Sequence, residues 1–265
     1  MDGLIKNCHD RIEGDKHLKC DASLGDDCLQ CSSNMYFDGN DVNYECDNKR
    51  YIYIARYLPV HSSEISNALD HLAMSFYDEL KDKEKIVFAS FGAGPGIDTY
   101  AFHRWLDKHR NDLSCKNITA FRIECCDEWT ELAKEVMFSN SPQGFERKYY
   151  RNIVDVTTED VNISERFDIA TLSYIVSELD ESGVNKLIEN IKNNKSECSY
   201  IVINDRNEPL VKEKIIKIMT AVADAGYRDY HYDSEHCGFS YPDDIYSSVS
   251  PKVFRKSVYF VGKLK

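Results

Sequence analysis

From Tyr51 to the C-terminus two rhythms of apolar and polar positions take turns along the chain. Short apolar runs, "KIVFASF", "NITAFRIE", "KYYRNIVDV", "FDIATLSYIV" and "CSYIVIN", read as strands. Between them stand longer stretches whose apolar residues recur every three or four positions: "IDTYAFHRWLDKH", "EWTELAKEVMF", "ESGVNKLIENIKN" and "PLVKEKIIKIMTAVADAG". Strand and helix in strict alternation predict a doubly wound α/β domain, a parallel sheet covered on both faces. Pro209 stands where a first helical residue belongs and Gly226 where a C-terminal cap belongs, which brackets the last helix. Beyond it "YRDYHYD" and "SVYFVGKLK" are strand-like with no helical stretch between, so they are expected to pair antiparallel at the sheet edge.

Ahead of the first strand, "YIYIARYLPV" is apolar and aromatic, and Pro59 is expected to interrupt it. In the following stretch Ile65, Leu69, Leu72, Ala73, Phe76 and Leu80 share one helical face, with Ser62 or Ser63 available as N-cap. Residues 1–50 show neither rhythm and are rich in Asp, Asn, Gly and Ser, so they are expected to form an arm separate from a main domain over residues 51–265.

Composition narrows the function. The 265 residues, 42% of them hydrophobic, suffice for one full core. A formal net charge of -12 disfavours a broad surface for the phosphates of nucleic acid. The last fifteen residues hold five Lys or Arg and no acid, which reads as a solvated basic terminus. With neither a signal-like start nor an apolar run of about eighteen residues, a cytoplasmic or otherwise intracellular address without a membrane is expected. In that setting the ten cysteines are thiols or metal thiolates. Five of them, with His9 and His17, crowd into the first fifty residues. "HLKC" and "CLQC" share a spacing that lets two side chains reach one tetrahedral zinc, giving His17, Cys20, Cys28 and Cys31 as a structural zinc set, with Cys8 and Cys46 as alternatives. Free thiols or a redox pair are the competing reading.

The chemistry concentrates in "SFGAGPGID", Ser90 to Asp98, at the exit of the first strand, where a doubly wound sheet binds its ligand. The glycines Gly92, Gly94 and Gly96 are spaced one residue tighter than the dinucleotide fingerprint, and Pro95 removes an amide that would face a pyrophosphate. No Gly-Lys-Ser/Thr ending follows, so a phosphate cradle is the weaker reading.

"VFASFGAGPGID" resembles the first motif of the class I S-adenosylmethionine-dependent methyltransferases, and the likeness runs from about Tyr51 to the C-terminus. It implies a seven-stranded, mostly parallel sheet with an antiparallel last strand. It implies S-adenosyl-L-methionine as cofactor, against Ser90, Phe91, Gly92, Ala93, Gly94, Gly96 and Asp98 of the loop. Glu124 with Cys125 falls where the family meets the ribose hydroxyls, and Asp155 with Val156 where it meets the adenine amine. Ser173, Tyr174 and Glu178, beyond the fourth strand, fall near the methyl position, as do Asn204 and Asp205 after the fifth; Tyr174 and Glu178 are the catalytic candidates. One residue departs: Ser90 stands where the family usually has an acid, which shifts the contact to the methionine amine toward backbone carbonyls or Asp98.

The exocyclic-amine signature "NPPY" is replaced by "LSYI", and no Pro-Cys nucleophile occurs, so neither adenine-N6 nor pyrimidine-C5 chemistry is indicated. "RYLPVHSSEISNAL" with "GAGPG" and "YIVSELD" also resembles, loosely, the methyltransferase-like proteins of mitochondrial small ribosomal subunit assembly, a hint toward RNA; the further cysteine motifs of those proteins do not occur here. The acceptor is left open among small molecule, RNA and protein. The alternative to an enzyme is the same fold kept as a scaffold in a ribonucleoprotein assembly.

Overall fold

A computed structural model describes residues 1–20, 24–36 and 43–265, apart from the side chains of His17 and Lys19. The N-terminal part contributes α1 (Asp2–Asp10), α2 (Cys28–Asn34) and the long α3 (Asp47–Leu80). Then come β1 (Lys85–Phe91), α4 (Ile97–His109), β2 (Asn117–Ile123), α5 (Thr130–Phe138), β3 (Glu146–Asn152), β4 (Phe167–Ser173), α6 (Glu181–Asn194), β5 (Lys195–Arg206) and α7 (Pro209–Val222). The chain ends with β6 (Arg228–His231), β7 (Glu235–His236), α8 (Asp243–Val249), β8 (Phe254–Arg255) and β9 (Ser257–Lys263).

Seven strands form one sheet in the order β3-β2-β1-β4-β5-β9-β6, with β7 and β8 as a separate small ladder. β1 to β5 run parallel, and β9 lies antiparallel between β5 and β6. The expected antiparallel pair is therefore present, but its later member is inserted inward and its earlier member forms the edge. A seven-residue helix, α8, stands in the stretch read as free of helix. Likewise α7 ends with Ala223 as its cap and Gly226 lies beyond it.

The period of two along β1 builds both layers. Val87, Ala89 and Phe91 pack in one core with Leu187 and Ile191 of α6 and Ile215 and Met219 of α7. Ile86 and Phe88 pack in the other with Leu69 and Leu72 of α3 and Phe102 and Trp105 of α4. Burying each of these large side chains contributes about 1.5–3 kcal/mol relative to exposure, so a sheet apolar on both faces holds both helical layers.

One expectation about the N-terminal part is corrected. α3 runs straight through Pro59 instead of starting after it. Proline leaves the carbonyl four residues back without its helical donor; here the Tyr241 hydroxyl donates to Ala55 O at 2.9 Å, and the Lys252 amide donates to the neighbouring Arg56 O at 3.1 Å. The helix is repaired from outside. Ser62 and Ser63 consequently do not cap: their hydroxyls donate to the carbonyls of Pro59 and Val60 within the helix.

The zinc set His17, Cys20, Cys28 and Cys31 is covered only in part by the described residues. Among the described residues no three His, Cys, Asp or Glu side chains come together as a metal-binding group; the His17 side chain lies outside the description. Cys28 and Cys31 fall in the first turn of α2, which Asp27 caps by accepting from the Gln30 amide at 2.7 Å. The Cys28 thiol accepts from Asn48 Nδ2 at 3.3 Å and the Cys31 thiol from the Leu24 amide at 3.2 Å. Apolar packing fastens α1: Leu4, Ile5 and Cys8 share a core with Ile54 and Leu58 of α3, Trp129, and Ile245 and Val249 of α8.

Candidate functional site

The strand order reverses between β1 and β4, and the turn after β1 opens there into a cavity of about 590 Å3. Gly92, Gly94 and Gly96 all have positive φ, the region glycine enters without a Cβ penalty. A Cβ on Gly92 would lie 2.3 Å from Ile175 Cδ1, and one on Gly96 2.7 Å from Met137 Cγ, whereas at Gly94 nothing lies within 4 Å. Gly92 and Gly96 thus pack against protein, and Gly94 leaves open space for a ligand. Its amide donates to Glu124 Oε2 at 2.7 Å, and the Cys126 amide donates to Glu124 Oε1 at 2.9 Å, so the carboxylate at the end of β2 is fixed beside the bare loop.

Asp155, in the loop after β3, is held by Thr157 through its amide at 2.8 Å and its hydroxyl at 2.6 Å. Burial pushes the Asp155 carboxyl up, but the Thr157 hydrogen bonds outweigh it and hold the group below its ordinary value. Two fixed carboxylates about an open glycine suit a ligand with hydroxyl and amine donors.

Of the residues expected at the site, Gly92, Gly94, Glu124, Cys125, Asp155, Val156, Ser173, Tyr174 and Glu178 line the cavity. Phe91 is buried in the core, with its ring 5.9 Å from Phe167, and Ala93 ties the loop to β2 by donating to Ile123 O at 3.0 Å. Gly96 caps α4. Ser90 and Asp98 lie beneath the loop, where the Ser90 hydroxyl donates to Asp98 Oδ2 at 3.0 Å and burial pushes the Asp98 carboxyl up to about 6. An acid absent from position 90 is thus present in space, delivered from the first turn of α4. Asn204 and Asp205 stand behind the wall: the Asn204 amide donates to Glu64 Oε2 at 3.3 Å, and Asp205 accepts from the Ser177 amide at 3.0 Å.

The opposite wall was not apparent from motifs. A chain of rings runs along it: Trp129 lies 4.7 Å from Tyr44 and 5.5 Å from Tyr53, Tyr53 lies 5.0 Å from Tyr57, Tyr57 lies 5.1 Å from His61, and His61 stacks on Tyr174 at 4.1 Å. Tyr53, Tyr57 and His61 recur every four residues on α3, a helical stripe visible in the sequence only if the helix is carried through Pro59. Tyr36, whose hydroxyl meets that of Tyr44, adds the arm's second tyrosine to the lining.

Tyr174 links the two walls. Its φ of 56° is unusual for a residue with a side chain and costs on the order of 1 kcal/mol. Three contacts hold it: its amide donates to Asn204 O at 2.8 Å, its hydroxyl donates to Glu64 Oε2 at 2.9 Å, and its ring stacks on His61. Burial pushes the Glu64 carboxyl up to about 7, the Tyr174 and Asn204 hydrogen bonds only partly opposing it, and burial pushes His61 down to about 3. His61 is therefore a neutral imidazole at ordinary pH. Glu178 is the partner of Arg206 at 2.9 Å and largely faces solvent.

No family model matches the sequence, and no curated protein matches it. Solved structures similar to this chain include an S-adenosylmethionine-dependent methyltransferase from Clostridium acetobutylicum, at 14% identity and TM-score 0.46 over 81% of this chain and 97% of that one. The N-methyltransferase NodS from Bradyrhizobium japonicum is 12% identical at TM-score 0.46, over 76% and 96%. A SAM-dependent methyltransferase from Aquifex aeolicus is 15% identical at TM-score 0.44, over 78% and 92%. At such scores the strand order and the glycine turn of this chain weigh more than the likenesses. Among the described residues no helix is long and apolar enough to cross a membrane.

Proposed function

We propose that this chain, whose fold is that of the class I S-adenosylmethionine-dependent methyltransferases, binds S-adenosylmethionine over the Gly94 turn and transfers its methyl group to a small molecule. The observation that carries the reading is a single cavity with two unlike ends. One end offers the open Gly94 backbone with the Glu124 and Asp155 carboxylates, acceptors suited to ribose hydroxyls and an adenine amine. The other end is walled by the rings of Tyr53, Tyr57, His61 and Tyr174, which suit a compact acceptor better than a folded macromolecule. In this reading the N-terminal fifty residues act as part of the acceptor wall, through Ser33, Tyr36 and Tyr44.

The cofactor supplies a methyl group already activated on a sulfonium sulfur. What this chain contributes is alignment and the exclusion of water, worth several orders of magnitude when the reacting groups are held in line. Tyr174 is proposed to position the acceptor at the junction of the two ends; burial keeps its phenol protonated and Glu64 fixes its direction. His61, neutral and stacked on it, supplies a flat face without charge. Glu178, committed to Arg206, is proposed to shape the rim. Ser90 and Asp98 support the turn from below, with the Asp98 carboxylate in the place of the family's missing acid.

Calorimetric titration tests the reading. Saturable binding of S-adenosylmethionine to the wild type is expected, with loss of binding in Gly94→Asp, whose side chain would occupy the open space and whose φ of 46° favours glycine. A folded wild type that takes up no S-adenosylmethionine would remove methyl transfer.

A further inference from the structure

The geometry points to an aromatic anion as the acceptor, its ring held among the tyrosines of the cavity and its carboxylate or phosphate against Arg56; the inference rests on the proposed methyl transfer. Arg56 follows Ala55 on α3, lines the cavity and is only 6% exposed. Its NH1 donates to Ser33 Oγ at 2.8 Å, its Nε has no hydrogen-bond partner, and no carboxylate among the described residues forms an ion pair with it. Buried guanidinium groups are ordinarily paired, because a desolvated charge without a counter-ion is costly. A ligand anion entering the cavity completes this one, and the planar fork of Arg56 suits the two oxygens of a carboxylate or phosphate.

The other charges at this end do not supply the missing partner. Glu178 is engaged by Arg206 at 2.9 Å, and Glu208 is solvent-exposed. Lys252, also exposed, adds a third positive charge to the lining beside Arg56 and the Glu178-paired Arg206. Tyrosine walls by themselves also suit a cationic ligand, but an ammonium here would face the Arg56 guanidinium, which lies over the Tyr57 ring at 5.4 Å. The same charge that repels a cation orients an anion, and the rings of Tyr57 and Tyr53 beside it offer faces for an aromatic acceptor.

Titrations of the full chain with 4-hydroxyphenylacetate, phenyl phosphate, p-cresol and cyclohexylacetate test this. At least one of the two aromatic anions is expected to bind tenfold or more tighter than p-cresol, which lacks the charge, and cyclohexylacetate, which lacks the aromatic face. Which anion binds tighter identifies the head group. In Arg56→Met the preference over p-cresol is expected to fall below threefold, while Arg56→Lys, which keeps the charge without the fork, retains part of it. p-Cresol binding within threefold of both aromatic anions in the wild type, or an undiminished preference in a folded Arg56→Met, would overturn the assignment. S-adenosylmethionine titrated into each sample separates the two readings. Its binding without any aromatic-anion preference overturns the acceptor class alone, whereas an Arg56-dependent preference without its binding supports the anion site and removes methyl transfer.

Discussion

Replacing Glu64 by Gln removes the fully buried carboxyl that accepts from the Tyr174 hydroxyl behind the cavity wall, while keeping its shape. In the folded protein the group titrates at about 7 against an ordinary 4.5, because burial disfavours its charged form more than its hydrogen bonds favour it. A folded-state value above the unfolded one means that the native protein holds the proton more tightly. The stabilisation is complete below about 4.5 and is lost as pH rises through about 7. The difference corresponds to about 3 kcal/mol over the whole window, most of which falls between pH 5 and pH 8. Asp98, pushed up to about 6 by burial, and His61 and His103, pushed down to about 3 and about 4 by burial, titrate in overlapping ranges. Their contributions cancel when wild type and Glu64→Gln are compared at the same pH. Denaturant unfolding of both proteins at pH 5 and pH 8 is the measurement. The stability of the wild type relative to the variant should decline by about 2–3 kcal/mol from the lower pH to the higher. A difference identical at both values would refute the account of Glu64 as a carboxyl kept protonated by burial.

Tyr241→Phe leaves the Ala55 carbonyl unpaired inside α3 and should lower unfolding stability by about 1–3 kcal/mol, read from denaturant midpoints at unchanged slope. Gly92→Ala sets a Cβ against Ile175 in a left-handed backbone, and a loss of about 1–3 kcal/mol with weakened S-adenosylmethionine binding is expected; a neutral result would show that the turn relaxes freely. Cys125 is exposed in the cavity, but burial of its thiol and the neighbouring Glu124 push it up to about 11. Alkylation by iodoacetamide, followed by mass spectrometry, should be slow at pH 7.5, accelerate toward pH 10 and be suppressed by S-adenosylmethionine.

How far the site was legible in the sequence depended on whether its residues share a local rhythm. β1, the glycine turn and α4 form one uninterrupted local pattern, and "IDTYAFHRWLDKH" matches α4 residue for residue. Pro59 broke that kind of reading, because the donors that repair the helix come from Tyr241 and Lys252, about 190 positions away, and no local pattern announces them. With the helix cut there, the stripe of Tyr53, Tyr57 and His61 disappeared from view, and with it Arg56. α1 and α2, nine and seven residues long, are below the length at which periodicity separates a helix from a loop. The zinc spacing read from their cysteines extends to His17, whose side chain lies outside the described residues. Tyr36 and Tyr44 lie outside any periodic element, and only tertiary packing brings Tyr44 to Trp129 and Tyr36 to Tyr44. The Ser90–Asp98 pair was half visible: both residues stood in the motif, but the hydrogen bond that joins them is a matter of the turn's path.

The repair of α3 at Pro59 also bears on when the acceptor wall can form during synthesis. The strand, turn and helix that hold Gly94 are complete once His109 has been made. Tyr241 and Lys252, which steady the helix beside Arg56 and Tyr57, follow more than a hundred residues later. A nascent or prematurely stopped chain would present the glycine turn with an unsteadied wall opposite it. On the proposed reading, selectivity for the acceptor is acquired only after Tyr241 and Lys252 have been made, in the same late stretch that supplies β9 to the sheet.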